Sequence, residues 1–229
     1  MAKKAKKQVS KAKREKKKRK VTKLDKQIVI LLIILVGILV GFFLFNSLLR
    51  KPYFNYKGFR VYRVGLKGAE ATIIFYSIPV NFRIGYEVQQ RNVVLRNDPR
   101  QIDKLNISIE VSEYFLKTRP SKLWITKRPD LKAKVIEAAN EITKFVGNLN
   151  ISVVSAYTYT IENRSVNIAR CEDATDENRV IFLEIAEKTR VYNSENPSCI
   201  VVEADSYENL IKAADALVIE WLLRIQEKA

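Results

Sequence analysis

Residues Gln27 to Leu49 form 23 consecutive positions without a charge, and a tail made largely of lysine precedes them. Within the run, Ile28–Phe45 is apolar throughout. As a helix, Ile28–Leu49 would be about 33 Å long, which matches a bilayer hydrocarbon core of about 30 Å. Buried helices of soluble proteins are rarely apolar on every face over such a length. A cleaved signal peptide has a shorter apolar region, about 7–15 residues, followed by small residues. Here the run ends Phe45-Asn46-Ser47-Leu48-Leu49, which offers no such site. The expectation is a retained signal anchor, with residues 27–49 as one transmembrane helix.

The flanks set its direction. Residues 1–26 carry 14 Lys and Arg against Glu15 and Asp25, a net of +12. The other flank has Arg50, Lys51 and Lys57. Lys/Arg excess marks the cytoplasmic side. The N-terminus is therefore expected inside the cell membrane and residues 50–229 outside it, with Tyr53, Phe54 and Tyr56 in an outer aromatic belt. The whole chain is +16, so only +4 remains beyond residue 26. The high pI belongs to the tail, and a basic nucleic-acid-binding domain does not follow from it.

Segment 1–26 has no apolar periodicity and repels itself, so it reads as disordered. Its lysines suit anionic headgroups, at roughly 1 kcal/mol each near a charged leaflet. The same charges could neutralise RNA or ribosomal phosphates, although no aromatics interleave with them for base stacking. Gly37 and Gly41 form a G-x-x-x-G that lets a second helix approach. That makes a homodimer or a membrane-complex partner the expected use of this face. No Asp, Glu, Lys or Arg interrupts the run, which argues against an ion or proton pathway.

The outer part is long enough for one well-buried domain or two small ones. Val80, Phe82, Ile84, Tyr86 and Val88 alternate with polar residues, as do Ile107, Ile109 and Val111. Both read as half-buried strands. Phe59–Val64 and Thr72–Ile78 read as strands turning at Lys67-Gly68, and Asn97-Asp98-Pro99 is a turn signal. Residues 50–118 are thus expected to be a membrane-proximal β-meander. In residues 119–229, Leu123–Ile125 reads as a strand and Asp130 as the cap of a helix closed by Gly147. Ile151–Tyr159 follows as the next strand, so a β-α-β unit with a right-handed crossover is expected. Val180–Ile185 and Cys199–Val202 are continuous apolar runs suited to interior strands. A last helix is expected behind an Asp205/Glu208 capping box, with Leu210, Ala214, Leu217, Trp221 and Ile225 as its stripe. The class is α+β, in mixed α/β layers.

Both cysteines, Cys171 and Cys199, lie on the side assigned outside. A disulfide suits an oxidising compartment, and it would close a loop of about 29 residues worth roughly 3.5 kcal/mol. Two separate buried thiols are the alternative. Sequons at Asn106, Asn150 and Asn163 are glycosylation candidates on the same side.

The chain has no histidine, which removes the commonest general base and the Ser–His and Cys–His designs. No glycine-rich phosphate loop occurs, and neither cofactor nor metal is expected. Glu172, Asp173 and Asp176 read as a solvated acidic turn. Lys117, Arg119, Lys122, Lys127 and Arg128 surround Pro120 and could face an anion or headgroups.

The segments Arg96-Asn97-Asp98-Pro99-Arg100, Cys171-Glu172-Asp173-Ala174-Thr175, Cys199-Ile200-Val201-Val202 and Leu210-Ile211-Lys212-Ala213-Ala214-Asp215 resemble those of uncharacterised archaeal single-pass membrane proteins. The resemblance covers most of residues 59–225. It implies an archaeal cell-surface domain with Cys171 bonded to Cys199, and no activity. Taken together, the sequence predicts a non-enzymatic, membrane-anchored extracytoplasmic domain acting in envelope organisation or as an accessory subunit of a membrane complex. One alternative is a membrane tether whose tail binds RNA or ribosomes. Another is a carboxylate-based envelope hydrolase.

Overall fold

A computed structural model describes residues 23–49, 53–67, 72–84, 86–117, 120–131 and 133–227. The lysine-rich segment 1–22, Arg119 and the expected turn at Gly68 lie outside these residues. Helix α1 runs Lys23–Leu49. It starts four residues earlier than the apolar run, because lysine and leucine are good helix formers and carry the helix past its apolar part. The side chains of residues 27–44 are all exposed.

Residues 52–229 form a second compact unit of mixed α+β structure. Strands β1 (Tyr53–Tyr56), β2 (Phe59–Lys67), β3 (Thr72–Ile84) and β4 (Glu87–Leu95) make an antiparallel sheet in that order. Lys57 and Gly58 form the first turn, both at positive φ (45° and 87°), the requirement of a two-residue hairpin whose twist matches its strands. Gly58 serves a second purpose there, since a Cβ would come within 3.0 Å of the Gln226 side chain.

The chain continues through α2 (Pro99–Ile102), β5 (Asn106–Ile107), α3 (Ile109–Lys117), β6 (Lys122–Lys127), α4 (Val135–Asn148) and β7 (Ser152–Tyr157). A 3₁₀ turn at Cys171–Asp173, β8 (Asn178–Ile185), β9 (Arg190–Asn193), β10 (Cys199–Ala204) and α5 (Tyr207–Glu227) complete it. The second sheet has the order β5-β9-β10-β8-β6-β7. In it β10, β8, β6 and β7 are mutually parallel, while β9 is antiparallel to β10.

The inner faces of both sheets and the helices share one core. Ile78, Val80 and Phe82 of β3 enter it from the first sheet, and Leu123, Ile181 and Val202 from the second. Helix α5 supplies Leu210, Ala214, Leu217 and Trp221, all fully buried, with Ile225 packed at the margin. Trp221 stacks on Phe115 of α3 (ring centroids 4.3 Å) and on Phe145 of α4 (5.3 Å). Phe145 in turn meets Phe82 edge-on at 6.2 Å. Four rings thus join β3, α4, α5 and α3. Such pairs are worth about 0.5–1.5 kcal/mol each beyond their area.

Several local expectations need correction. The alternation at Ile107, Ile109 and Val111 is not a strand beyond residue 107. From Ile109 the chain is helical, because Val111 and Phe115 repeat at i, i+4 and both bury against the core; five alternating residues satisfy either period. The run Val80–Val88 is two strands, with Tyr86 in the hairpin turn and Val88 exposed. Asp130 caps no helix. Its carboxylate takes Arg128 Nε and Nη2 at 3.1 and 2.6 Å, and α4 begins at Val135. That helix is closed by Asn150 at φ 57°, not by Gly147, since asparagine tolerates the left-handed conformation. The cap of α5 is Ser206, whose hydroxyl accepts the Asn209 N–H at 3.2 Å; Asp205 instead accepts the Asn209 side chain at 2.7 Å.

Trp221→Ala should lower the unfolding free energy by about 3–5 kcal/mol through loss of buried contacts. Denaturant titration of the full chain in detergent, followed by circular dichroism, checks this.

Candidate functional site

The parallel strands place their carboxyl ends together. From β6 the chain steps to β7 on one side, while β8 and β10 lie on the other. The β6/β8 boundary is therefore the point where strand order reverses, the usual position of a ligand crevice in open parallel sheets. A crevice of about 220 Å³ lies beside that boundary, between α4 and the sheet, lined chiefly by β6 and β7 and by Leu183 from β8. Ile125 and Leu183 line it from the sheet, Asn140 and Thr143 from α4, Lys127 from the end of β6 and Ser155 from within β7. The Thr143 hydroxyl donates to the Ala139 carbonyl at 2.8 Å. Burial pushes the Lys127 ammonium pKa down. Its Nζ lies 5.6 Å from the Tyr157 ring centroid. One partly desolvated amine beside an amide and a hydroxyl suits a small ligand carrying a carboxylate or carbonyl group.

The charged groups that follow β6 neutralise one another. Arg128 grips Asp130 through two nitrogens and lies 3.6 Å from Glu184. The Arg128 guanidinium holds the Asp130 carboxyl below its ordinary range. Farther along the sheet, Glu203 accepts from Arg190 Nε and from the Tyr192 hydroxyl.

A second cluster sits between α4 and α5. Asp215 is fully buried, and its Oδ2 accepts from the Asn97 backbone N–H and side-chain amide, both at 2.8 Å. Glu141, 4 % exposed, accepts the Lys144 ammonium at 2.8 Å. Asp215 Oδ1 and Glu141 Oε2 are buried without a hydrogen-bond partner. Burial pushes the Asp215 carboxyl up to about 7, the Asn97 donors oppose this, and the Glu141 charge adds to it. Neither acid lines the crevice above. Asp215 holds its proton inside the helix layer, away from the crevice.

Cys171 and Cys199 are bonded, with Cα atoms 5.1 Å apart. The bridge ties the 3₁₀ turn to the start of β10, and Asn196 Nδ2 seals that turn by donating to the Cys171 and Ala174 carbonyls at 3.0 and 2.8 Å.

The acidic trio does not converge. Glu172 and Asp173 are exposed, whereas Asp176 accepts the Tyr114 and Ser198 hydroxyls at 2.5 and 3.0 Å. The basic residues around Pro120 divide as well. Lys122 lies over the Trp124 ring at the start of β6, while Lys127 and Arg128 stand at its far end. The length of the strand, roughly 17 Å, separates them. Tyr56 is not a belt residue. It is buried and donates to Asp103 at 2.9 Å. Phe54 is half-buried under Arg100 (4.1 Å), and Tyr53 pairs with Tyr62 at 5.6 Å. Asn150 and Asn163 are exposed at positive φ, and Asn106 lies in β5 beside Arg190. Gly37 and Gly41 sit four apart on α1 with open space beside each.

Comparison with protein-family models, with curated proteins and with solved structures finds no match.

Sequence reasoning did not single out Lys127 as a crevice residue or Asp215 as a buried acid. Asp215 was detectable. It occupies a second apolar i, i+4 row, Ile211–Asp215–Ile219, where an acid has no solvated side. Lys127 was not, because it ends an ordinary strand and nothing in residue order shows that the helix after it leaves a crevice over the sheet.

The raised Asp215 pKa has a defined consequence. The folded chain holds this proton to about pH 7, the unfolded chain only to about 3.8. Stability from this group is present below the unfolded value and is lost as pH rises through about 7. Asp215→Asn should flatten the fall in unfolding midpoint between these limits, as measured by thermal unfolding across pH.

Proposed function

We propose that the chain is a single-pass membrane protein with its N-terminus cytoplasmic, whose residues 50–229 form a non-enzymatic extracytoplasmic domain. Its role would be in envelope organisation or as an accessory subunit of a membrane complex. The observation that carries the reading is α1: one helix, charge-free from Gln27, with every described side chain of residues 27–44 unburied. Such a surface is unstable in water and stable in lipid. The +12 on residues 1–26 supports the orientation. The Cys171–Cys199 bond supports an oxidising compartment, as do two exposed sequon asparagines. The Lys127 crevice would give the domain a small-ligand site.

Protease treatment of intact cells should remove residues 50–229 and protect α1. Thiol reagents should label Cys171 and Cys199 only after reduction. Labelling without reduction, together with protection of the domain, would refute the placement.

Helix pairing through Gly37 and Gly41 is the expected route to a membrane partner. Because a Cβ at either glycine meets nothing within 4 Å among the described residues, Gly37→Ile with Gly41→Ile should leave the fold intact and reduce any oligomer seen by light scattering in detergent. An unchanged mass would exclude the contact.

A further inference from the structure

The β2–β3 hairpin outgrows its sheet. β1 pairs with β2 only as far as Tyr62, opposite Tyr53. β2 continues to Lys67, paired only with β3. β4 leaves β3 at Tyr76. Among the described residues, 63–67 and 72–75 therefore make a two-stranded ribbon with no neighbouring strand on either edge.

The polarity of the two faces inverts along this arm. In the body of the sheet, Phe59 and Val61 point into the core and Arg60 points out. Residues opposite one another on antiparallel strands share a face. Beyond Tyr62 the core-side register holds Arg63, Gly65 and Lys67, with Thr72 and Ile74 opposite. The outward register holds Val64, Leu66, Ile73 and Phe75. Val64, Leu66 and Ile73 are 43, 58 and 52 % exposed. An overhang meant only for water would carry polar residues and charges on its free edges. Here an apolar face is built on the side that the core does not use.

The position of the arm along the chain says what covers that face. Between Leu49, the end of α1, and Tyr53 lie four peptide steps, at most about 14 Å of chain. β2 runs antiparallel to β1, so past Tyr62 it advances beyond Tyr53 on the side from which the chain enters the sheet. Five residues carry it about 17 Å in that direction. A bilayer that holds α1 is thus within reach of the arm. The opposite register offers the exposed Lys67 to headgroup phosphates. Free edge groups of the ribbon need water or headgroups as partners, which confines such an element to the interfacial zone.

We propose that the arm formed by residues 63–67 and 72–75 lays its Val64, Leu66, Ile73 and Phe75 face into the interface of the same leaflet from which residues 50–229 emerge, as a second membrane contact. This rests on the membrane-anchor reading of α1. The contact restrains the domain on the bilayer surface.

Full-length chains carrying a spin label at Leu66→Cys, Tyr86→Cys or Leu35→Cys, reconstituted in vesicles of equal parts phosphatidylcholine and phosphatidylglycerol, test it. Leu66 is more than half exposed and Tyr86 fully exposed at the opposite end of β3, so neither label disturbs packing. Collision with oxygen relative to a water-soluble nickel chelate should be several-fold higher at Leu66 than at Tyr86, and highest at Leu35. Leu66 as aqueous as Tyr86, with Leu35 in lipid, would overturn the arm contact alone. An aqueous Leu35 would overturn the anchor and the arm contact with it. Dipolar broadening at Leu66 that persists in detergent would instead assign the arm to pairing with a second copy and overturn the lipid contact.

Discussion

The ring ladder Phe82–Phe145–Trp221–Phe115 is the interaction on which the rest of the outer unit depends. A four-stranded meander alone has one apolar face and no partner for it. A mostly parallel sheet needs cover on both faces. Helices α4 and α5 cover the apolar face of the meander and one face of the second sheet, and the rings are where the first sheet, the helix layer and, through α3, the strand β5 segment of the second sheet are joined. The disulfide acts elsewhere, on the far face of the second sheet, where Ala156, Ala169, Ala174 and Val180 make a small separate cluster with Cys199. That cluster is thin, and a covalent tie there replaces the contacts that small side chains cannot make.

The electrostatics follow from the same layering. Charged groups at the rim of the sheet are paired with one another, as Arg128 with Asp130 and Arg190 with Glu203. Asp215 and Glu141 are held between helices with oxygens left unpaired, a cost that protonation of one acid relieves. Of the chain's net +16, +12 sits before residue 27. A domain with little net charge, a crevice with one partly buried amine and an apolar arm beside its tether fits an element held at a membrane surface.

Much of the fold was legible in residue order, and what was not has physical causes. The interior strands β8 and β10 read correctly as continuous apolar runs, because burial on both faces leaves no polar alternation. The α5 stripe read correctly because 21 residues give its period many repeats. The short segment at Ile107–Val111 read wrongly because five residues fit two periods. The helix caps read wrongly where a carboxylate had a stronger claim on its position: Asp130 on Arg128, Asp205 on Asn209. Of the candidate site, Lys127 and Arg128 were picked out as basic, but not that one enters a crevice while the other pairs with Asp130 and Glu184. That distinction needs α4 packed on the sheet and β8 beside β6, and β8 is distant in sequence.

Native-state hydrogen exchange on the full chain in lipid nanodiscs tests the ladder's coupling most directly. If both sheets hang on one core, the slowest amides of β3 and of β10 will open with the same free energy, and Phe145→Leu will lower both equally. Exchange of β3 at a separate, lower opening energy that Phe145→Leu leaves untouched would contradict it and leave two independent bodies in place of one.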